Sequence, residues 1–198
     1  MLSSKSISTF FSLAINLCLS SAAFAADAKP YIEVGPAWTD AEVSNDSLHL
    51  SGLVRAGVEV TSWAAFEIEG IWGLDTVKDV RTNDDEFEGG LDHQFGGYVR
   101  LGLPIDDQFL PYVRVGYATA QTSIIRRRIG NGTSDIRERE DSFSGPSFGF
   151  GVQGFFGENR NNGVRLDLIG LLANGDEDEF FDLLDGTSNI SVTYVRRF

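Results

Sequence analysis

Nine charged residues each sit inside a run of alternating apolar side chains: Glu33, Arg55, Glu59, Glu67, Glu69, Arg100, Arg114, Arg165 and Asp167. They are five acids and four arginines. Guanidinium and carboxylate groups held together away from water form strong, often bidentate hydrogen bonds. Mutual neutralisation in a network is therefore the chemistry this set offers. His49-Leu50-Ser51 pairs a base with a hydroxyl two residues apart, the pairing that nucleophilic hydrolysis uses. In an alternating segment both share a face with Arg55, so they read as two polar residues at a strand's outer end, and no catalytic residue is expected. Arg126-Arg127-Arg128, with Arg137 and Arg139, has the chemistry to grip phosphate. Asp135, Glu138, Glu140 and Asp141 share that stretch, which reads as an internally balanced, solvated loop. Asp176-Glu177-Asp178-Glu179 offers carboxylate oxygens to a divalent cation, but without EF-hand spacing, and no metal site is expected. Next to it Phe180 and Phe181, with Leu183 and Leu184, place apolar side chains at a loop tip, where a partner is needed to cover them. Asp84-Asp85-Glu86 is a plain acidic loop. Arg126, Arg127, Arg128, Phe180 and Phe181 are thus the candidate surface-loop contacts.

The chain that must position these residues has 198 of them and a formal net charge of −13. That length suits one domain. The acidity argues against nucleic acid as a partner, since phosphate backbones are bound by clustered Lys and Arg. With 15 Phe, 5 Tyr and 3 Trp the chain can bury enough apolar surface to fold. Residues 1–25 read as a cleaved export signal: Lys5, a short apolar core from Phe10 to Leu19, then Ala23-Phe24-Ala25. The core is too short to span a bilayer as a helix. Cys18 lies inside that signal, preceded by Asn16-Leu17 rather than the small residues lipidation needs. The domain from Ala26 to Phe198 then has no cysteine, which excludes disulfides, thiolate-bound metal and a cysteine nucleophile. No cofactor is expected.

Eight runs of period-two alternation follow, with turn residues between them. They cover residues 30–43, 48–60, 64–76, 93–105, 109–125, 142–156, 164–172 and 190–198. In the second, Leu48, Leu50, Val54 and Val58 fall on one face and His49, Ser51, Arg55 and Glu59 on the other. The connections alternate in length. Short ones lie near 61–63, 106–108 and 157–163; long ones span 77–92, 126–141 and 173–188, and a short one near 44–47 breaks the pattern. This predicts an all-β fold, an up-and-down antiparallel eight-stranded barrel with its long loops at one end.

Alternation alone leaves the apolar face pointing inward, as in a secreted ligand carrier of lipocalin type, or outward against lipid. Phe66, Phe109, Phe156 and Phe198 fall at the short-turn rim of that face, and Trp38, Trp72, Phe95, Tyr117 and Phe148 toward the other end. Two aromatic belts around an aliphatic band suit the two interfaces of a bilayer. The last strand ends on Phe198 with Tyr194, Val192 and Ile190 at alternate positions, similar to the terminal signal by which outer-membrane assembly machinery recognises its substrates. Arg196 departs from that pattern. From Tyr31 to Phe198 the chain resembles the small eight-stranded outer-membrane β-barrels, of which the OmpA-type transmembrane domain is the best known. The resemblance implies a monomer in the outer membrane of a Gram-negative bacterium. Its expected partners are outer-membrane lipids, lipopolysaccharide, the barrel-assembly machinery and host or surface ligands. It also implies a structural or surface-interaction role, adhesion included. Two alternatives remain open: a narrow channel, and a lipid A hydrolase, for which no orienting Glu stands at that family's spacing downstream of the His49–Ser51 pair.

Overall fold

The computed structural model describes residues 28–40, 48–75, 77–81, 85–106, 108–130, 133–172 and 187–198. Residues 1–27, with the export signal and Cys18, lie outside the described residues, as do 41–47, 76, 82–84, 107, 131–132 and 173–186. Nine strands form one antiparallel sheet: β1 (Lys29–Asp40), β2 (Leu48–Glu59), β3 (Ala64–Gly73), β4 (Val77–Arg81), β5 (Asp85–Gly102), β6 (Phe109–Gly130), β7 (Thr133–Phe156), β8 (Asn162–Leu171) and β9 (Thr187–Arg197). Each pairs with its sequence neighbour except that β3 passes over β4 to pair with β5, and β1 closes onto β9. β3 and β4 pair in turn with the same strand β5, so the wall has eight positions and, within the barrel, no open edge. Closure satisfies the ladder hydrogen bonds within the wall, which a lipid environment requires.

The side chains decide which way the alternation faces. Val34, Val54, Val113 and Leu166 are 52%, 45%, 50% and 47% exposed, whereas Glu33, Arg55, Arg114 and Arg165 beside them are wholly buried. The apolar face therefore points out and the charged face in, the reverse of a ligand-carrying barrel. Phe66, Phe109, Phe156 and Phe198 are all exposed at the short-turn rim, and Trp38, Trp72 and Tyr117 are exposed toward the opposite end. There Trp72 meets Phe95 edge to face, with centroids 5.6 Å apart.

Tight turns close the short end. Thr61 Oγ1 accepts from the amides of Trp63 and Ala64, and Asp106 Oδ1 from those of Gln108 and Phe109. These are the local side-chain turns that Thr and Asp favour. In the third turn Gly157 takes φ 86° and Arg160 φ 49°. Inside the wall, glycines make room for rings. A Cβ on Gly57 would lie 2.3 Å from Tyr31 Cζ, and one on Gly151 would lie 2.2 Å from the Tyr112 hydroxyl.

Two of the long connections are not loops. β5 begins at Asp85, β6 runs on to Gly130 and β7 starts at Thr133, so Arg126, Arg127 and Arg128 are strand residues paired with Arg137, Ile136 and Asp135. Together with β4, these strands extend the barrel wall into a four-stranded sheet beyond the aromatic belt. Beyond the membrane both faces of a strand are solvated, so its apolar alternation fades while its hydrogen-bonded pairing continues. The region 173–186, with Asp176–Glu179, Phe180 and Phe181, lies outside the described residues.

Candidate functional site: the lumen and the sheet above it

All nine of the charged residues singled out in the sequence are buried on the lumen side, none more than 7% exposed. Strand pairing puts them in adjacent positions: Glu33 faces Arg55 on β2, Arg55 faces Glu69 on β3, and Arg100 faces Arg114 on β6. Arg55 is a hub that donates to Glu33, Glu69 and Asp167, the last at 3.1 Å. Arg165 reaches Glu33 at 2.8 Å, Glu67 at 2.7 Å and Asp167 at 3.0 Å. Arg114 bridges Glu67 at 2.7 Å and Glu69 at 3.0 Å. Arg100 donates to Glu59 at 2.8 Å and to Gln153. Each carboxylate is thereby held by at least one guanidinium, so charges that would be very costly alone in a dry interior are compensated.

Four further groups belong to this network, three tyrosines and an arginine, and strand periodicity puts all four on the face of the charged residues. Tyr31 donates to Glu67 Oε1 at 2.5 Å and Tyr112 to Asp167 Oδ1 at 2.5 Å. The Arg114 guanidinium sits 3.9 Å from the centre of the Tyr98 ring and that of Arg165 4.3 Å from Tyr112, cation–π contacts at close range. Arg197 is the fourth. It donates to Glu59 at 2.5 Å and lies over Phe155. With it the network holds five carboxylates and five guanidiniums and is electrically balanced.

Apolar packing flanks the ions on both sides. Toward the long-strand end Ala37, Leu53, Ile71, Ala118 and Leu171 form one buried cluster; toward the short turns Tyr31, Ala65, Phe155 and Val195 form another. A recess of about 480 Å³ opens at the short-turn end, with Glu59, Phe155 and Arg197 among its lining residues.

His49 and Ser51 are both fully buried on the lumen wall above the network. Ser51 Oγ lies 3.3 Å from Thr39 Oγ1, and His49 Nδ1 and Nε2 have no hydrogen-bond partner among the described residues. The structure does not join the two as a nucleophile and its base, and the lumen wall turns both away from lipid. At the C-terminus, Tyr194 and Arg196 both donate to Asn162 Oδ1, at 2.5 and 2.7 Å, and Phe198 stands exposed at the rim. Arg196 thus finds its partner at the membrane edge, where a long cationic side chain is tolerated.

A family model for the outer membrane protein beta-barrel domain matches residues 11–198. The chain belongs to that family. Its place is the cell outer membrane. Among solved structures it is similar to a major outer membrane protein from Thermus thermophilus, at 10% identity and TM-score 0.53, covering 87% of this chain and 100% of that one. It is also similar to the N-terminal β-barrel domain of Pseudomonas aeruginosa OprF, at 12% identity and TM-score 0.52, covering 86% and 97%. A third is Ail, the attachment invasion locus protein of Yersinia pestis, in complex with the heparin analogue sucrose octasulfate. It shares 10% identity at TM-score 0.50, over 86% and 99% of the chains. At these identities the likeness is one of fold. No curated protein sequence matches closely enough to be called a relative.

Proposed function

We propose that this outer-membrane barrel is a closed, non-enzymatic scaffold whose working surface is the sheet formed by β4 to β7 above the membrane, acting in attachment to surfaces outside the cell. One contrast carries the reading. The lumen is filled by a balanced ionic network between two apolar clusters, while β6 and β7 continue well past the membrane-facing aromatics. A small eight-stranded barrel has an interior only wide enough for its own side chains. What remains available for partners is the outer end. Ail, similar in fold, carries attachment in its name and was crystallised with a polysulfated ligand, which agrees with such a role. Lipids and lipopolysaccharide surround the wall, the assembly machinery inserts it through the Tyr194–Phe198 end, and the chain acts as a monomer.

The test replaces residues 124–139 by a two-residue turn. The variant is expected to retain the barrel, read as a mobility shift between boiled and unboiled samples. Attachment of cells expressing it to immobilised matrix proteins and glycans is expected to fall to the level of cells lacking the protein. Attachment equal to that of the parent would overturn the proposal.

A further inference from the structure

Arg196 stands apart from the other arginines of the barrel wall. Arg55, Arg100, Arg114 and Arg165 turn inward, whereas Arg196 is exposed on the outer surface. Among the described residues it is the one charged side chain on the lipid-facing wall between the two aromatic belts. A charge facing lipid is costly, less so near an interface, and an ionisable group placed there points to a partner. The protein supplies Arg196 with a support and not with a counter-charge. Its Nη1 donates to Asn162 Oδ1 at 2.7 Å, the oxygen that also accepts from the Tyr194 hydroxyl at 2.5 Å. Arg196 makes no ion pair with any described residue. Asn162 occupies one donor of a guanidinium that carries several.

Strand register builds the surroundings. Arg196 on β9 pairs with Asn162 on β8, and Asn162 with Phe156 on β7. Two residues further toward the bilayer centre, on the same face, Tyr194 pairs with Val164 and Val164 with Gly154. A Cβ on Gly154 would meet no atom within 4 Å, so the wall is open there. Phe109, Val152, Phe156 and Val164, all exposed, border the opening. A cation at the membrane edge therefore adjoins an apolar slot that leads into the bilayer. The slot suits an acyl chain, and the planar donors of a guanidinium match the oxygens of a phosphate.

We propose that Arg196, held by Asn162 and Tyr194, binds the phosphate of a phospholipid whose acyl chain lies over Gly154. Only a molecule that joins a phosphate to an apolar tail meets both features at once, which free phosphate does not. The short turns of such barrels face the periplasm, so this rim meets the inner leaflet of the outer membrane. A phosphodiester headgroup there carries one negative charge on its phosphate, matched to one arginine. The site lies at the opposite end of the barrel from the protruding sheet and is independent of the attachment reading.

The full chain is refolded from urea into detergent micelles, and its binding of phosphatidylglycerol is followed by native mass spectrometry. Diacylglycerol with the same tails is the phosphate-free control, and inorganic phosphate the tail-free one. Phosphatidylglycerol is expected to bind roughly tenfold or more tightly than diacylglycerol, the scale of hydrogen bonds to a charged group. Inorganic phosphate is not expected to displace it. R196Q is expected to lose the preference for phosphatidylglycerol over diacylglycerol. G154L keeps the arginine, adds a side chain where there is room for one, and is expected to weaken binding several-fold by filling the slot. K29Q removes a cation of the recess at the same end and is expected to stay within about twofold, as for an exposed charge outside the site. Equal losses for K29Q and R196Q would reduce the effect to the general charge of the rim and overturn the site. Displacement by inorganic phosphate would overturn the need for a tail. If R196Q does not regain heat-modifiability, G154L decides in its place, and binding equal to the parent's overturns the proposal. If R196Q binds phosphatidylglycerol like the parent yet reaches the outer membrane poorly in cells, Arg196 serves insertion and the proposal falls.

Discussion

The middle of the lumen and the sheet above the membrane draw on the same residue types, and β5 and β6 run through both. Both are dense in arginine and carboxylate. In the lumen Arg114 on β6 is fully buried and held by Glu67 and Glu69. Twelve residues further along the same strand Arg126 stands in a sheet that has left the barrel. Position, rather than composition, decides what each charge is worth. A guanidinium enclosed in a low-dielectric interior is committed to its partners, whereas an exposed ion pair contributes little to stability.

The sharpest way to break this contrast is Arg55→Ala. It removes the group shared by Glu33, Glu69 and Asp167 and is expected to cost about 3–5 kcal/mol, the usual penalty for leaving buried charge uncompensated. Urea titration in lipid vesicles, read as loss of the heat-modifiable form, measures it. A loss below about 1 kcal/mol would mean the lumen is wet enough to screen its ions. Val54, one residue earlier, faces lipid, and Val54→Lys is expected to cost about 2–4 kcal/mol in the same titration. The two neighbours fail for opposite reasons, one by losing a charge and the other by gaining one. Gly57→Ala is expected to cost about 1–3 kcal/mol by overpacking against the Tyr31 ring. Combining it with Tyr31→Leu should recover part of that loss, after allowance for the hydrogen bond to Glu67 that goes with the tyrosine.

These positions also show where sequence reading succeeds. A one-residue step along β2 exchanges lipid for lumen, so apolar alternation located Arg55 and Val54 on opposite faces without any structure. It also located the glutamates of β3 and the Arg165–Asp167 pair. Tyr31 and Tyr112 are harder to read, because they share the parity of the charged residues, as Tyr98 does beside Arg100, yet a tyrosine belongs chemically to either side of the wall. Arg197 shared that parity too, alternate with buried Val195, but the terminal aromatic pattern drew attention to the other face. The protruding sheet was illegible for a different reason. The period-two signal is produced by a solvent difference between two faces, and above the membrane that difference vanishes while the hydrogen-bonded ladder goes on.

The smallest expected effect bears most directly on function. Arg126→Ala and Arg127→Ala are each expected to change stability by less than about 0.5 kcal/mol, as surface substitutions do. Both should leave heat-modifiability in urea indistinguishable from the parent. The arginines of the sheet would then be dispensable for the fold that carries them, unlike the four of the lumen middle. If Arg126→Ala instead destabilised the barrel as Arg55→Ala does, the sheet would be an outward extension of the lumen network. Its arginines would then be structural, and the distinction between the two regions would collapse.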